Sequence, residues 1–275
     1  MIRATIIIAF YRNIQFLRLV LAGFARQSMK DFEIVIADDG SPAKEISEVQ
    51  SVMDCSRHRI RHIWQEDRGF RKNRILNQAI LLADAEYLVF IDGDCVPHSE
   101  FVREHYENRQ PKVCLAGRRV DLSEMITAKL TEENIREGYL EKHLAELLFD
   151  SLLLKSRNVE KGIYIKPGFL RRIINKKKRG LVGCNFSLHK NDLLSINGFD
   201  ERYEEPGIGE DYDIQLRLGK NNIALKSVSN VAIQYHLYHQ KLAIGERNIK
   251  LLKQVQASGI YFTPFGVQQE NIISR

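Results

Sequence analysis

Glu86-Tyr87-Leu88-Val89-Phe90-Ile91, followed at once by Asp92-Gly93-Asp94, decides how the rest of the chain is read. A continuous apolar run of this length fits a strand buried on both faces of a parallel sheet, where no polar side can face water. It ends on two carboxylates around a glycine that lets the chain turn, and in open α/β sheets ligands gather at the C-terminal ends of the strands. Carboxylates crowded there repel one another, and a divalent cation relieves that repulsion. An oxygen-rich site with open positions suits Mg²⁺ or Mn²⁺ shared with a substrate's phosphates. Taken alone, Asp-Gly-Asp is explained equally well as turn chemistry.

Upstream the pattern repeats. Ala4-Thr-Ile-Ile-Ile-Ala-Phe10 reads as a strand, Ile14 to Arg26 as an amphipathic helix, and Phe32-Glu-Ile-Val-Ile-Ala37 as a second strand ending in Asp38-Asp39-Gly40-Ser41. A helix is expected from Pro42 to Met53, capped by Ser41, then a strand near Ile60 to Trp64 and a helix from Lys72 to Leu82. Downstream, helical patterns cover Glu100 to Asn108 and Thr131 to Leu154, with a strand at Val113 to Ala116 between them. Gly180 to Ser187 looks like a turn into a strand, Asp211 to Leu218 like a helix, and Ile223 to Val228 and Val231 to Tyr235 like strands. Beyond Gly259 periodicity fades, and a mobile tail is expected. The fold class is therefore α/β, a mostly parallel sheet flanked by helices.

The 275 residues suffice for a large core without disulfides. Cys55, Cys95, Cys114 and Cys184 stand far apart with no C-x-x-C, which speaks against a zinc knuckle or a secreted disulfide scaffold. The apolar stretch Thr5 to Phe10 is too short for a signal sequence, so the expectation is a soluble, cytoplasmic protein, peripheral at the inner face of the membrane at most. The net charge of +6 is local: between Lys155 and Arg179 ten Lys or Arg face one acid, Glu160. A globally basic nucleic-acid binder is not the natural reading, and no aromatic stacking platform accompanies the charge. Phe169-Leu170 and Ile173-Ile174 alternate with basic residues, so 155–179 reads either as an interfacial helix touching anionic lipid or as a solvated basic loop.

The order and spacing of these motifs resemble the family 2 glycosyltransferases of the A-type fold. Ala9-Phe-Tyr-Arg12 stands where that family has its first-strand uridine-binding segment, Asp38-Asp39-Gly40-Ser41 where it has its uracil-binding acids, and Asp92-Gly93-Asp94 where it has its metal-binding D-x-D. Gln65-Glu-Asp-Arg-Gly-Phe-Arg71, with Asn77 downstream, is similar to bacterial chondroitin-polymerase-type enzymes. Asn197-Gly-Phe-Asp-Glu201, then Gly209-Glu-Asp211 and Arg217-Leu218, resembles the acceptor region of β-1,4-galactosyltransferases. The likeness runs from Thr5 to His239 and skips Asp121 to Lys178. It departs at Pro206 to Gly209, which lacks the tryptophan of the galactosyltransferase pattern and leaves Tyr203 or Tyr212 as candidates for stacking on an acceptor sugar.

The resemblance implies an inverting glycosyltransferase that moves a hexose or N-acetylhexosamine from a UDP-sugar to a hydroxyl of a glycan or lipid-linked sugar, in cell-surface glycan synthesis. By position, Phe10, Tyr11, Arg12, Asp38 and Asp39 would hold uridine, Arg71 and Asn77 would lie on the donor, and Asp92 and Gly93 would sit near the ribose. Asp94 and His236 would bind Mn²⁺ (or Mg²⁺), with His236 preferred to His239. Asp211 would be the general base and Glu210 would orient the acceptor. An inverting transfer needs a carboxylate that is not committed to the cation, and Glu210-Asp211 follows a glycine-rich turn at a helix start, where the helix dipole favours the ionised form. The expected organisation is a UDP-sugar-binding half (1–120), a helical and basic insert (121–179) and an acceptor-binding, catalytic-base half with a tail (180–275). Two other readings remain open: a non-catalytic carbohydrate- or lipid-binding module, and a sugar-phosphate nucleotidyltransferase. The second would want a glycine-rich phosphate loop after the first strand, where Ala9-Phe-Tyr-Arg12 stands instead.

Overall fold

The computed structural model describes residues 1–153, 155–174, 180–207, 209–240 and 245–268, with 172 and 174 in backbone only. Its first half runs β1 (Ala4–Phe10), α1 (Ile14–Ala25), β2 (Phe32–Asp38), α2 (Ala43–Asp54), β3 (Ile60–Trp64), α3 (Lys72–Leu82), β4 (Tyr87–Asp92), β5 (Cys95–Pro97), α4 (Phe101–Glu107), β6 (Val113–Ala116) and β7 (Arg118–Asp121). The insert holds α5 (Glu124–Ala128), α6 (Glu132–Arg136), α7 (Tyr139–Lys142), α8 (Leu144–Leu152), a 3₁₀ turn (Val159–Gly162) and α9 (Gly168–Ile174). The last part holds β8 (Asn185–His189), α10 (Lys190–Leu194), α11 (Glu210–Lys220), β9 (Ala224–Ser227), β10 (Ile233–His236) and α12 (Glu246–Ser258).

A seven-stranded sheet in the order β3-β2-β1-β4-β8-β6-β9 forms the centre, and β8 alone runs against its neighbours. Alternation along the apolar strands sorts side chains onto two buried faces. Ile6, Ile8, Ile34, Ile36, Val89 and Ile91 pack with α1 and α4, whereas Ile7, Val35, Leu88 and Phe90 pack with α3, α10 and α11. Burial on both sides is why β1, β2 and β4 read as unbroken apolar runs. The sheet draws β8, β6 and β9 in beside β4, so strands from both ends of the sequence share it.

A second sheet, β5-β10-β7, starts where the first ends: β4 stops at Asp92 and β5 begins at Cys95. β10 pairs antiparallel with β5, setting His236 opposite Cys95, and parallel with β7, setting His236 opposite Asp121. This ladder brings the chain near residue 236 against Asp92-Gly93-Asp94.

Several expectations are corrected. The helix from Thr131 to Leu154 is broken into α6, α7 and α8, because Gly138 enters the left-handed region (φ 83°) and His143 separates the last two. Ser41 does not cap α2: Pro42 takes the cap position without a side-chain bond, while the Ser41 hydroxyl accepts from the Arg12 amide at 2.8 Å. The segment after Gly259 is ordered by packing rather than mobile as far as residue 268. Asn197 donates to the carbonyls of Thr263 and Gln268 and accepts from the Gln268 amide, and Thr263 is buried. Lys176 to Arg179, four of the ten basic residues in that run, lie outside the described residues. Among the described residues no helix is long and apolar enough to cross a membrane.

Candidate active site

The C-terminal ends of β1, β2 and β4 open into a cavity of about 500 Å³ lined by Phe10, Tyr11, Asp39, Asp92, Gly93 and Asp94, together with Lys72, Phe70, Pro206 and His239. Parallel strand ends make this cleft. A side chain at Gly93 would come within 3.1 Å of the Ala9 carbonyl oxygen and 3.4 Å of the Phe10 ring, so glycine fits closely there.

At one end, the two neighbouring acids of β2 do different work. Asp39 faces the cavity, accepting from the Gln65 amide at 2.5 Å and the Arg71 main-chain N–H at 2.8 Å. Burial pushes its carboxyl up, and these hydrogen bonds return only part of the shift. Asp38 is fully buried behind it, its oxygens taken by the Ser41 amide (2.8 Å) and His62 Nε2 (3.0 Å). Asp38 therefore shapes the turn and does not reach the cavity. Tyr11 and Arg12 both contact Asp67, at 3.0 and 2.7 Å, and the Arg12 guanidinium lies 4.6 Å over the Tyr11 ring. The Arg71 guanidinium turns back onto the Glu66 carbonyl, so the residue meets the site chiefly through its main chain.

Asn77 is corrected outright. It is buried in α3, away from the cavity, donating to the Phe199 carbonyl (2.9 Å) and Glu201 Oε1 (3.0 Å) and accepting from the Phe199 amide (2.9 Å). With its polar atoms spent on the 199–201 turn it is a brace between α3 and that segment, not a donor contact.

At the other end, Asp94 Oδ2 lies 3.5 Å from His236 Nε2 and 3.1 Å from His239 Nε2, and the two imidazole nitrogens are 3.2 Å apart. All three donor atoms fall within 4.8 Å of one another. Burial alone would raise Asp94, but the two imidazoles bonded to it hold its carboxyl well below the ordinary range. His239 is raised in turn, chiefly by its bond to Asp94. Asp121 Oδ1 lies 3.6 Å from His236 Nδ1, the ring nitrogen that does not face Asp94. One carboxylate and two imidazoles with an open side fit a divalent cation, so His239 belongs in the cluster beside His236.

Between these ends stands Lys72, which the sequence did not single out. Its ammonium donates to Asp92 Oδ1 at 2.7 Å, and burial, which alone would lower it, is outweighed by the fields of Asp92, Glu210 and Asp211, so its pKa is raised. Asp211, in the first turn of α11, accepts from the Gly183 amide at 2.7 Å, and any side chain at Gly183 would overlap that carboxylate. Burial, then the adjacent Glu210, push Asp211 up to about 7 against the opposing pull of Lys72. Burial and Glu210 thus act against the ionised form that the helix start favours. Glu210 is buried too, and its Oε2 has no hydrogen-bond partner among the described residues. Of the two candidate stacking rings, Tyr203 is fully buried, whereas Tyr212 is exposed beside Asp211.

The model of "Glycosyl transferase family 2" matches residues 5–180, and that of "N-terminal domain of galactosyltransferase" matches residues 173–240. The chondroitin synthase of Escherichia coli is 25% identical over 244 residues, which are 84% of this chain and 34% of that protein. The chain thus spans about a third of that relative's length. Among solved structures, GalNAc-T7 with UDP, GalNAc and Mn²⁺ superposes with a TM-score of 0.62 at 11% identity, over 94% of this chain and 48% of the other. The mannosyltransferase PcManGT from Pyrobaculum calidifontis, with GDP-Man and Mn²⁺, gives 0.56 at 14% identity, over 94% and 69%. These two likenesses establish the glycosyltransferase A-type fold.

Proposed function

Because the chain belongs to glycosyl transferase family 2, we propose that it moves a hexose or N-acetylhexosamine from a UDP-sugar to a sugar hydroxyl, with a divalent cation and with inversion at the anomeric carbon. The observation that carries this reading is the separation of acids by task. Asp39 stands at one end of the cavity, Asp94 with His236 and His239 at the other, and Asp211 is held apart from that cluster on α11 by the Gly183 amide.

In this reading residues 1–120 bind the donor, with uracil at Asp39 and Tyr11, and residues from 180 onward bring the acceptor. When bound, the cation supplies Lewis-acid neutralisation of the diphosphate as its charge grows, and two imidazole ligands favour Mn²⁺ over Mg²⁺. Lys72 adds a fixed positive charge near Asp92. Asp211 takes the proton from the acceptor O–H as that oxygen bonds to the anomeric carbon, and the bond from that carbon to the diphosphate oxygen breaks with its electron pair leaving on UDP. The unpaired Glu210 oxygen accepts from a second acceptor hydroxyl and fixes its orientation. A glycan or lipid-linked sugar as acceptor fits the relatives' role in polysaccharide synthesis.

The test is nucleotide-binding calorimetry followed by donor hydrolysis across a panel of UDP- and GDP-sugars, each with Mn²⁺ and with chelator. Mn²⁺-dependent binding of UDP in preference to GDP, with slow release of UDP from one donor, is expected. Binding of neither nucleotide, or binding indifferent to chelator, would refute the proposal.

A further inference from the structure

The insert between β7 and β8 carries the densest exposed apolar surface described. Of the twenty large apolar side chains that stand exposed among the described residues, eight fall between Leu148 and Ile173. They are ordered, not scattered. On α8, Leu148, Phe149 (63% exposed) and Leu152 (79%) fall within about 100° of helical arc, opposite the buried Leu147 and Asp150. On α9, Phe169 (66%), Leu170 and Ile173 repeat the same spacing. Lys155, Arg157 and Lys166 are exposed in the chain between the two stripes, where Glu160 is the sole acid.

This surface has a firm base. The Arg157 backbone exchanges hydrogen bonds with Asp121 at 2.8 and 3.0 Å, Asn158 donates to the Asp121 carboxylate, and Asn230 holds the carbonyls of Glu160 and Ile163. Asp121 is also the acid beside His236. The apolar stripes therefore belong to a segment fastened to the second sheet, next to the Asp94 cluster.

We propose that this insert is a peripheral docking surface for an anionic lipid bilayer, with the α8 and α9 stripes entering the headgroup boundary and Lys155, Arg157 and Lys166 meeting lipid phosphates. Large apolar side chains flanked by cations are what such an interface requires. The sign of the charge also argues against a second copy of the chain as the occupant. A two-fold interface sets a patch against itself, so these cations would face cations. The inference does not depend on the transferase reading, and its readout is binding without donor or acceptor.

The experiment is sedimentation of the full chain with vesicles of phosphatidylcholine alone or with about 30% phosphatidylglycerol, a content that sets up a negative surface potential. Binding to the anionic vesicles only, falling as salt rises, is expected. Lys155→Glu/Arg157→Glu/Lys166→Glu should weaken it by about 100-fold or more, taking about five-fold for each cation lost. Phe149→Ser/Leu152→Ser and Phe169→Ser/Ile173→Ser should each weaken it at every salt concentration. All these side chains are exposed, so melting temperatures should not move, and a melting control identifies a variant that fails to fold. Equal recovery with neutral and anionic vesicles, or a concentration-dependent dimer abolished by the serine variants, would overturn the proposal.

Discussion

Replacing Asp211 by asparagine changes one atom at the proposed base and leaves its seat intact, since the amide oxygen can still accept from Gly183. Two effects of opposite sign follow. Turnover should fall by about 10² to 10⁴-fold, the range for loss of a general base. Stability should rise. Lifting a carboxyl from 3.8 to about 7 disfavours its ionised form by up to about 4 kcal/mol. The folded chain holds this proton more tightly than the unfolded one, so wild-type stability present at acidic pH is lost as pH climbs from about 4 towards about 7. Asparagine has no charge to desolvate or to set against Glu210, but it removes one of the charges facing Lys72, which keeps Asp92. The net gain at pH 8 should be about 1–3 kcal/mol, or several degrees in Tm for a chain of this size. Thermal melts in metal-free buffer at pH 5 and pH 8, beside UDP release from a donor across the same range, measure both. The wild-type rate should rise with pH to a shoulder near 7. A variant with full turnover, or one whose Tm advantage is the same at pH 5 and pH 8, would refute the account of the base and of its burial.

Other substitutions separate the remaining roles. His236→Ala and His239→Ala should each weaken Mn²⁺-dependent UDP binding by about 10-fold or more, and Asp94→Ala should remove it, as calorimetry would show; a silent His239→Ala would return that residue to the surface. Lys72→Met deletes a positive charge facing Asp211, so the shoulder of the pH–rate profile should move to higher pH; an unmoved shoulder would sever the two groups. Asn77→Ala strands the buried amide and carbonyl of Phe199 and should cost about 2–4 kcal/mol in denaturant melts, with UDP affinity unchanged in the protein that remains folded.

What was legible in the sequence is what local chemistry decides. The strands β1, β2 and β4 are apolar throughout because both faces are covered, and the acids at their ends belong to the cleft because parallel strands all end there. Asp39, Asp92 and Asp94 follow from that, whereas His236, on the second sheet, was reached only through the family resemblance. Lys72 looked like an ordinary first-turn lysine, since Asp92 and α11 reach it only through the fold. Asp38 and Asn77 carry the right chemistry at the right spacing, yet their partners, His62 and Phe199, are settled by tertiary packing. The rise of Asp211 was invisible for the same reason, because a helix start is apparent locally whereas desolvation by the 183 turn and Lys72's neighbours is not. The placement of the segment to residue 268 depends on Asn197, whose amide gives no local sign of the distant chain it holds.

The ladder that sets His236 opposite Cys95 has a consequence for how this protein can vary. Asp94 and His236 are placed by main-chain pairing, reinforced by the Leu237 amide on the Asp94 carbonyl at 2.8 Å. Side-chain direction alternates along a strand, so a slip of one residue in β10 would turn the imidazole to the other face. The placement of Asp94 beside His236 is thereby set by register, whereas His239 sits in the loop that follows β10. The chain between β7 and β8 can therefore be lengthened, shortened or rewritten without moving the β5–β10 pairing that sets Asp94 beside His236.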